Sequence, residues 1–383
     1  MNIGIVCYPT FGGSGVLATE LGIALAKRGH RVHFVAYRQP ARLNTFQEGV
    51  FYHEVPAADY PLFEYAPYDT AMASTLVDVA RSASLDLLHV HYAIPHAAIG
   101  FMAREILKSL GRYVPMVTTL HGTDITLVGR NKVFAPVVTF SINESDGVTA
   151  VSQFLKEETM RTFPITKPIE VIYNFVDLNR FKRTDKEHFR KAIAPNDEKI
   201  LVHISNFRPV KRIPDVIDIF KRIRSTVPAK LLLVGDGPER QNAEILCREL
   251  GLCDEIRFLG KLEAVEEILA VADLFLLPSE HESFGLSALE AMACEVPVIS
   301  SNAGGLCEVN IDGVTGFTAD PGDTERMANA VMLLLMDPDR LASFRQNALT
   351  QARRFSIDRI LPQYEAFYEK AIAGVAAEAA EQN

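Results

Sequence analysis

Two glutamates, Glu282 and Glu290, have seven residues between them in the second half of the chain. The run from Phe284 to Met292 is predicted as a helix, so its first backbone N–H groups, those of Phe284, Gly285 and Leu286, would face an anion such as a pyrophosphate. Glu282 would then lie just before the helix and Glu290 about two turns into it. One carboxylate could reach a sugar and the other the ribose hydroxyls of a nucleotide. Helix glutamates are usually only solvated surface. This pair is specific because Pro278-Ser-Glu-His-Glu-Ser-Phe-Gly285 surrounds it and Pro297-Val-Ile-Ser-Ser-Asn-Ala-Gly-Gly305 follows it.

A second anion-binding candidate is the turn Phe11-Gly-Gly-Ser-Gly-Val16, which follows an apolar run and opens a helical pattern. Gly13 and Gly15, with Ala18 in the third position, approximate a dinucleotide-binding turn. The acidic residue expected at the end of the next strand is absent, because that strand runs into Ala36, Tyr37 and Arg38. NAD is therefore disfavoured, while a tight βα turn without ligand stays open. His121 closes another predicted strand, where open α/β sheets place their ligands. His89 and His91 share a strand face and His96 follows, yet no carboxylate or third ligand is placed beside them. Asp337-Pro-Asp339 falls in a helix-breaking turn, and no metal is assigned to either group.

These residues need elements to hold them. Short Val, Ile and Leu runs alternate with amphipathic stretches, the pattern of parallel sheets covered on both faces. Strands are predicted at Ile3 to Cys7, Arg31 to Ala36, Leu87 to His91, Met116 to Leu120 and Gly147 to Val151. The alternation restarts with Ile200 to Ser205, Lys230 to Val234, Ile256 to Leu259, Leu274 to Leu277 and Val298 to Ser300. Leu17, Leu21, Ala24 and Leu25 give the first helix one apolar face before Gly29 ends it. Two Rossmann-like domains are expected, 1–170 and 171–359, with a terminal helix at about 360–383 returning to the first.

A chain of 383 residues suits two cores better than one. A net charge of −9 argues against a general nucleic-acid surface and an anionic membrane surface. No apolar run reaches the roughly 18 residues of a membrane span, and Met1 to Cys7 reads as a strand without a basic leader, so a cytosolic protein is expected. The five cysteines show neither CxxC nor zinc spacing and are read as reduced. Homo-oligomer formation is compatible with the sequence and not specified by it.

The Glu282/Glu290 segment with its trailing Pro297 to Gly305 run resembles the retaining GT-B glycosyltransferases of family 4. Leu233-Val-Gly-Asp-Gly-Pro-Glu239 and Phe258-Leu-Gly260 resemble that family's nucleotide-side loop and uracil-reading strand end. The resemblance implies two Rossmann-like domains facing a cleft, a UDP-sugar donor and no metal cofactor. The family binds the diphosphate with an Arg and a Lys five residues later. Lys211 fits the second position, whereas Asn206 occupies the first and Arg208 is a substitute cation.

Gly12-Gly-Ser-Gly15, His89-Val-His-Tyr-Ala-Ile-Pro-His96, Thr118-Thr-Leu-His-Gly-Thr-Asp124 and Ile204-Ser-Asn-Phe-Arg-Pro-Val-Lys-Arg212 narrow the resemblance. They are similar to family members that move N-acetylglucosamine from UDP-N-acetylglucosamine to L-malate. That resemblance implies a catalytic set of His121, Lys211 and Glu282. It implies donor contacts from Gly13, Asn206, Lys211, Glu282, Phe284, Gly285, Leu286 and Glu290. For the small dianionic acceptor the candidates are Ser14, Gly15, Tyr92, Thr119 and His121, with Asn174 and Arg208 in support. Transfer to an inositol phosphate or lipid phosphate, a GT-B UDP-N-acetylglucosamine epimerase, and a non-catalytic nucleotide-sugar binding module are the alternatives.

Overall fold

A computed structural model of the chain describes residues 1–10, 12–43, 46–56, 67–127, 129 and 131–381. It divides into two compact units, Met1–Asn174 with Asp358–Asn383, and Phe175–Ile357. Among the described residues no helix is long and apolar enough to cross a membrane.

The first unit holds seven strands: β1 (Asn2–Val6), β2 (Arg31–Ala36), β3 (Val50–Glu54), β4 (Leu87–His91), β5 (Met116–Leu120), β6 (Gly147–Ala150) and β7 (Ile169–Val171). All pair in parallel, in the order β3-β2-β1-β4-β5-β6-β7. Side chains alternate across a strand, so each strand feeds two cores. Val6, Val35, Leu88, Val90 and Met116 pack with Met72, Leu76, Ala103 and Leu107 from helices Tyr68–Ser82 and Ala98–Ser109. On the other face, helix Gly13–Lys27 brings Gly22 against Phe34 and Ile5. His89 lies beside Ile5 in register, so the strand histidines share that second face with the terminal helix Ile357–Glu381, whose Tyr368 hydroxyl reaches His89.

The second unit repeats the plan with β8 (Lys199–Ile204), β9 (Ala229–Val234), β10 (Ile256–Gly260), β11 (Leu274–Leu277), β12 (Val298–Ser301) and β13 (Gly316–Ala319). Again all neighbours are parallel, in the order β10-β9-β8-β11-β12-β13. Helix Ile213–Ile223 carries Ile213, Val216, Ile217 and Phe220 on its inner side. These pack with Met327, Ala328 and Val331 of helix Thr324–Leu335, each large side chain contributing about 1.5–3 kcal/mol of burial.

The expected α/β class with two Rossmann-like units is what the chain adopts. Strands β3, β7 and β13 are additions to the sequence reading. Asp337-Pro-Asp339 starts a helix rather than breaking one: Asp337 accepts the Arg340 N–H and caps Pro338–Ala352.

Candidate functional site

In each sheet the strand order reverses between two neighbours, β1 and β4 in the first unit and β8 and β11 in the second. Loops leaving those strands diverge to opposite faces and open a crevice at their C-terminal ends, the place where such sheets bind ligands. Ser14, Tyr92, Asn206, Lys211 and Glu282 follow these strands, while Thr119 lies in β5, His121 just beyond it and Glu290 in a helix.

In the first unit, β1 leads to helix Gly13–Lys27, with Gly12 at its N-cap; Phe11 lies outside the described residues. The Gly15 and Val16 N–H groups donate to the Gly12 carbonyl, at 3.1 and 3.2 Å. Gly15 is therefore not a free donor as expected, and the helix mouth is formed by the Gly13 and Ser14 N–H groups. Tyr92, just after β4, has a positive φ of 84°, a costly conformation for a bulky residue. Three bonds hold the Tyr92–Ala93 turn in place. The Tyr92 N–H donates to the Thr119 carbonyl at 2.9 Å, the Ala93 N–H to Asp124 Oδ2 at 2.8 Å, and the Tyr92 hydroxyl to Ser14 Oγ at 2.6 Å. The result brings Ser14, Tyr92 and His121 together, the Tyr92 and His121 rings being 5.0 Å apart.

Behind His121 runs a buried chain of histidines. His121 Nε2 is 2.7 Å from His91 Nδ1, the His91 ring lies 4.3 Å from that of His89, and the His96 Nδ1–H donates to the His91 carbonyl. His91 Nε2 is buried without a partner. Orphaned buried N–H groups are rare, so the His91 proton belongs on Nδ1 and is donated to His121 Nε2. His121 then carries its own proton on Nδ1. Burial pushes His89 and His121 down to about 3 and His96 to about 4, with neighbouring imidazoles adding to the effect on His89 and His121. These rings are neutral at pH 7.

Thr119 is corrected by the structure. It is fully buried, and its hydroxyl bonds His89 Nε2 and Thr149 Oγ1, each at 2.7 Å, so it braces the histidines rather than lining a pocket. Asp124 was missed as a site residue. It is 2% exposed and accepts from Ala93 and from Gly122 N–H at 3.0 Å, tying the loop after β4 to the loop after β5. Burial raises it to about 6, against the pull of those backbone donors. The visible signal was an Asp two residues beyond a glycine at a strand end, where its carboxylate bonds backbone N–H groups locally. Asn174, at the end of the unit, buries an unpartnered Oδ1.

In the second unit, β8 carries a buried His203 one residue before its end. Its Nδ1–H donates to the Leu276 carbonyl and its Nε2 meets Ser205 Oγ, both at 2.8 Å, which fixes the start of the loop Ser205 to Lys211. Asn206 packs its backbone against the β9 loop, where a Cβ on Gly237 would meet the Asn206 carbonyl at 2.0 Å. The loop delivers Lys211 to Glu282: Nζ lies 2.5 Å from Oε2, with side chains 17% and 12% exposed. A backbone bond from the Glu280 N–H to the Val210 carbonyl, 2.8 Å, ties the two loops together. Arg208 is exposed on the same loop.

The helix expected from Phe284 begins two residues later, at Leu286, and runs to Ala293. Gly285 is its N-cap with φ 95°, and a Cβ there would come within 2.4 Å of Leu306. Glycine alone satisfies both demands. Phe284 is instead a core residue, 2% exposed and edge-on to Phe355. The N-terminal N–H groups are those of Leu286 and Ser287, and Glu290 lies about one turn into the helix rather than two. Glu290 is 6% exposed.

Comparison with known proteins gives the family. The family model described as "Glycosyltransferase Family 4" matches residues 11–180, and "Glycosyl transferases group 1" matches residues 184–351. N-acetyl-alpha-D-glucosaminyl L-malate synthase of Bacillus anthracis is 45% identical over 370 residues, covering 96% of each chain. D-inositol 3-phosphate glycosyltransferase 2 of Catenulispora acidiphila is 28% identical, over 90% of this chain and 86% of that one. Among solved structures, Anabaena HepE in complex with UDP and glucose superposes with a TM-score of 0.81 at 23% identity, covering 96% of this chain and 98% of that one. The fold is thus GT-B, and the chain belongs to the family 4 glycosyltransferases, in the group that includes the malate synthase.

Proposed function

We propose that this glycosyltransferase passes N-acetylglucosamine from UDP-N-acetylglucosamine to the hydroxyl of L-malate with retention at the anomeric carbon, the first step of bacillithiol synthesis. The observation that carries these substrates is the 45% identity to the malate synthase over nearly the whole of both chains. The geometry supports the chemistry.

On this reading the second unit holds the donor. Lys211 and the Leu286 and Ser287 N–H groups meet the diphosphate, with Asn206 donating from the position where the family has an arginine. Glu290 accepts from the ribose hydroxyls and Glu282 meets the sugar. The Lys211–Glu282 contact sets the ammonium before a diphosphate arrives, so little reorganisation accompanies the growth of charge on the leaving group. In the first unit the Ser14 N–H and the Tyr92 and Ser14 hydroxyls meet the malate carboxylates, with Asn174 secondary, while Gly13 keeps the donor contact that the resemblance implies. His121 offers its Nδ1–H as a neutral donor. As the sugar–phosphate bond breaks, the departing UDP oxygen takes the proton of the malate hydroxyl while that hydroxyl oxygen bonds the same sugar face. The protein needs no carboxylate nucleophile for this step. We further propose that the reaction is cytoplasmic.

Mass spectrometry of products from UDP-N-acetylglucosamine and a panel of small acids tests the reading. L-Malate is expected to yield a glycoside and UDP. L-Lactate, lacking the distal carboxylate, is expected to fall about a hundredfold in kcat/KM, because the groups that met that carboxylate are left unpaired. Equal turnover of both acids refutes the dicarboxylate site. Isomerised UDP-sugar without an acceptor identifies an epimerase, and nucleotide binding without turnover a binding module.

A further inference from the structure

Helix Arg240–Glu249 in the second unit ends on a left-handed glycine, Gly251, with φ 65°. The Gly251 N–H donates to the Arg248 carbonyl at 3.1 Å and the Leu252 N–H to the Cys247 carbonyl at 3.0 Å. This double bond pattern is the glycine-terminated helix cap in which the chain folds back across the last turn. Leu252 is fully buried and anchors the fold-back. The next residue is Cys253, and its Sγ lies 3.8 Å from Cys247 Sγ. Cys253 is exposed, whereas Cys247 is 2% exposed within the core. The sequence Cys-Arg-Glu-Leu-Gly-Leu-Cys has neither CxxC spacing nor a zinc pattern. Only the glycine cap reveals that its ends meet.

We propose that Cys247 and Cys253 form a peroxide-reactive dithiol site that closes reversibly to an intramolecular disulfide. The Cys253 thiolate, on the solvent side, attacks the peroxide: one peroxide oxygen becomes its sulfenic acid and the other leaves as hydroxide, which takes the thiol proton to become water. Cys247 sulfur then displaces the sulfenic hydroxyl. The sulfur–sulfur bond forms, the sulfur–oxygen bond breaks, and a second water carries off the Cys247 proton. Two thiols are oxidised and one peroxide is reduced to two waters. Burial holds the Cys247 thiol well above its ordinary range, at about 12, so Cys253 and not Cys247 is the first target. The two sulfurs have to close from 3.8 Å to a bond of about 2.05 Å, and the backbone cap already brings them this near. Closure protects Cys253 from irreversible oxidation and ties the end of this helix to the segment entering β10.

Trypsin provides a direct readout, since it cuts at Arg240, Arg248 and Arg257 and separates the cysteines onto peptides Gln241 to Arg248 and Glu249 to Arg257. After a brief stoichiometric dose of hydrogen peroxide and alkylation of free thiols, the two peptides are expected as one linked species, lighter than their sum by the two thiol hydrogens. Dithiothreitol should separate them, and non-reducing electrophoresis should show a monomeric link. Exposed Cys307 is the reference thiol. The Cys253→Ser variant should abolish the linked species while keeping glycosyl transfer within about twofold. In Cys247→Ser, Cys253 should proceed to sulfinic acid at a dose the wild type survives. If wild-type Cys253 forms sulfinic acid as readily as Cys307 without any linked peptide, or if the link is only between molecules, the proposal is wrong.

Discussion

The two units place their ligand ends by the same topological device and then furnish them in opposite ways. At the β1/β4 reversal the polar groups are bonded to one another or to the backbone: a neutral His121 on His91, Tyr92 on Ser14, and the Asp124 carboxylate on two backbone N–H groups. At the β8/β11 reversal a charged lysine–glutamate pair stands before a helix N-terminus. On the proposed reading, neutral donors such as His121 suit an arriving dianion, which they hold without overbinding it. A cation with oriented N–H dipoles suits a leaving diphosphate whose charge grows during reaction. One fold thus supplies two electrostatic environments through the side chains and backbone turns of its equivalent loops.

The contrast is sharpest in acid, where the largest effect is expected. An unfolded histidine takes up a proton near pH 6.5, but His89, His96 and His121 resist protonation in the folded chain down to about 3 to 4. Their contribution is therefore complete above pH 6.5 and is lost as pH falls toward those folded values. At pH 4.5 each costs about 2–3 kcal/mol. Asp124 works in the other direction. Raised to about 6, it binds its proton in the folded state first and returns about 2 kcal/mol between pH 6 and 4. The second unit has only His203 among comparably buried, depressed histidines of the described residues, at about 4. Pulse proteolysis with peptide mapping at pH 7.5 and 4.5 should show residues 1–174 becoming cleavable first on acidification. Earlier loss of residues 175–357 breaks the comparison.

The next effect tests the charged end. Lys211→Met removes the cation and leaves Glu282 unpaired beside an incoming diphosphate. kcat/KM should fall about 10²–10³-fold, the usual loss for one donor aimed at developing charge, while Lys211→Arg retains most of the activity. Steady-state UDP release measures both. A Lys211→Met enzyme within threefold of wild type would remove the lysine from the mechanism.

A smaller effect separates the two glutamates. Glu290→Ala should weaken UDP itself by about 1.5–3 kcal/mol, the value of a charge-assisted hydrogen bond. Glu282→Ala should spare UDP, or tighten it slightly by releasing Lys211, and weaken only the sugar nucleotide. Calorimetry with UDP and UDP-N-acetylglucosamine decides, and equal losses for both ligands in both variants contradict the division.

Legibility in the sequence followed burial. The ten strands predicted from apolar runs are all present, because central strands buried on both faces must be written in Val, Ile and Leu. The three unpredicted strands, β3, β7 and β13, all lie at sheet edges, where half-exposed residues such as those of Val50–Glu54 leave no such run. The Glu282 and Lys211 loops were legible as motifs. Their contact was not, since residues 71 positions apart meet only through the β8/β11 pairing. Helix onset was misread at Phe284 because its ring looks like a first helical residue, whereas its burial against Phe355 and the left-handed Gly285 delay the helix. Thr119 was misread because a strand-end threonine offers the same hydroxyl to a core histidine as to a ligand.

The smallest effect concerns His91, which touches His121 and no proposed substrate position. With its Nδ1–H donated to His121 Nε2 across 2.7 Å, it fixes the His121 proton on Nδ1, so it is a positioning residue. His91→Phe preserves bulk beside His89 but withdraws the donor, and His121 can then carry its proton on Nε2, facing away from substrate. The expected loss is about tenfold in kcat, or about 1.4 kcal/mol, with KM for the donor little changed. His91→Asn offers a carboxamide N–H from a similar position and should recover most of the loss. A purely structural role predicts otherwise, since Asn leaves a larger void than Phe and should then be the worse variant in both melting temperature and rate. Nitrogen chemical shifts of the His121 ring in the three proteins give an independent reading. The Nδ1–H tautomer should dominate in wild type and His91→Asn and be diluted in His91→Phe. An unchanged tautomer in His91→Phe would sever the neutral histidine chain from the chemistry and leave it as core packing alone.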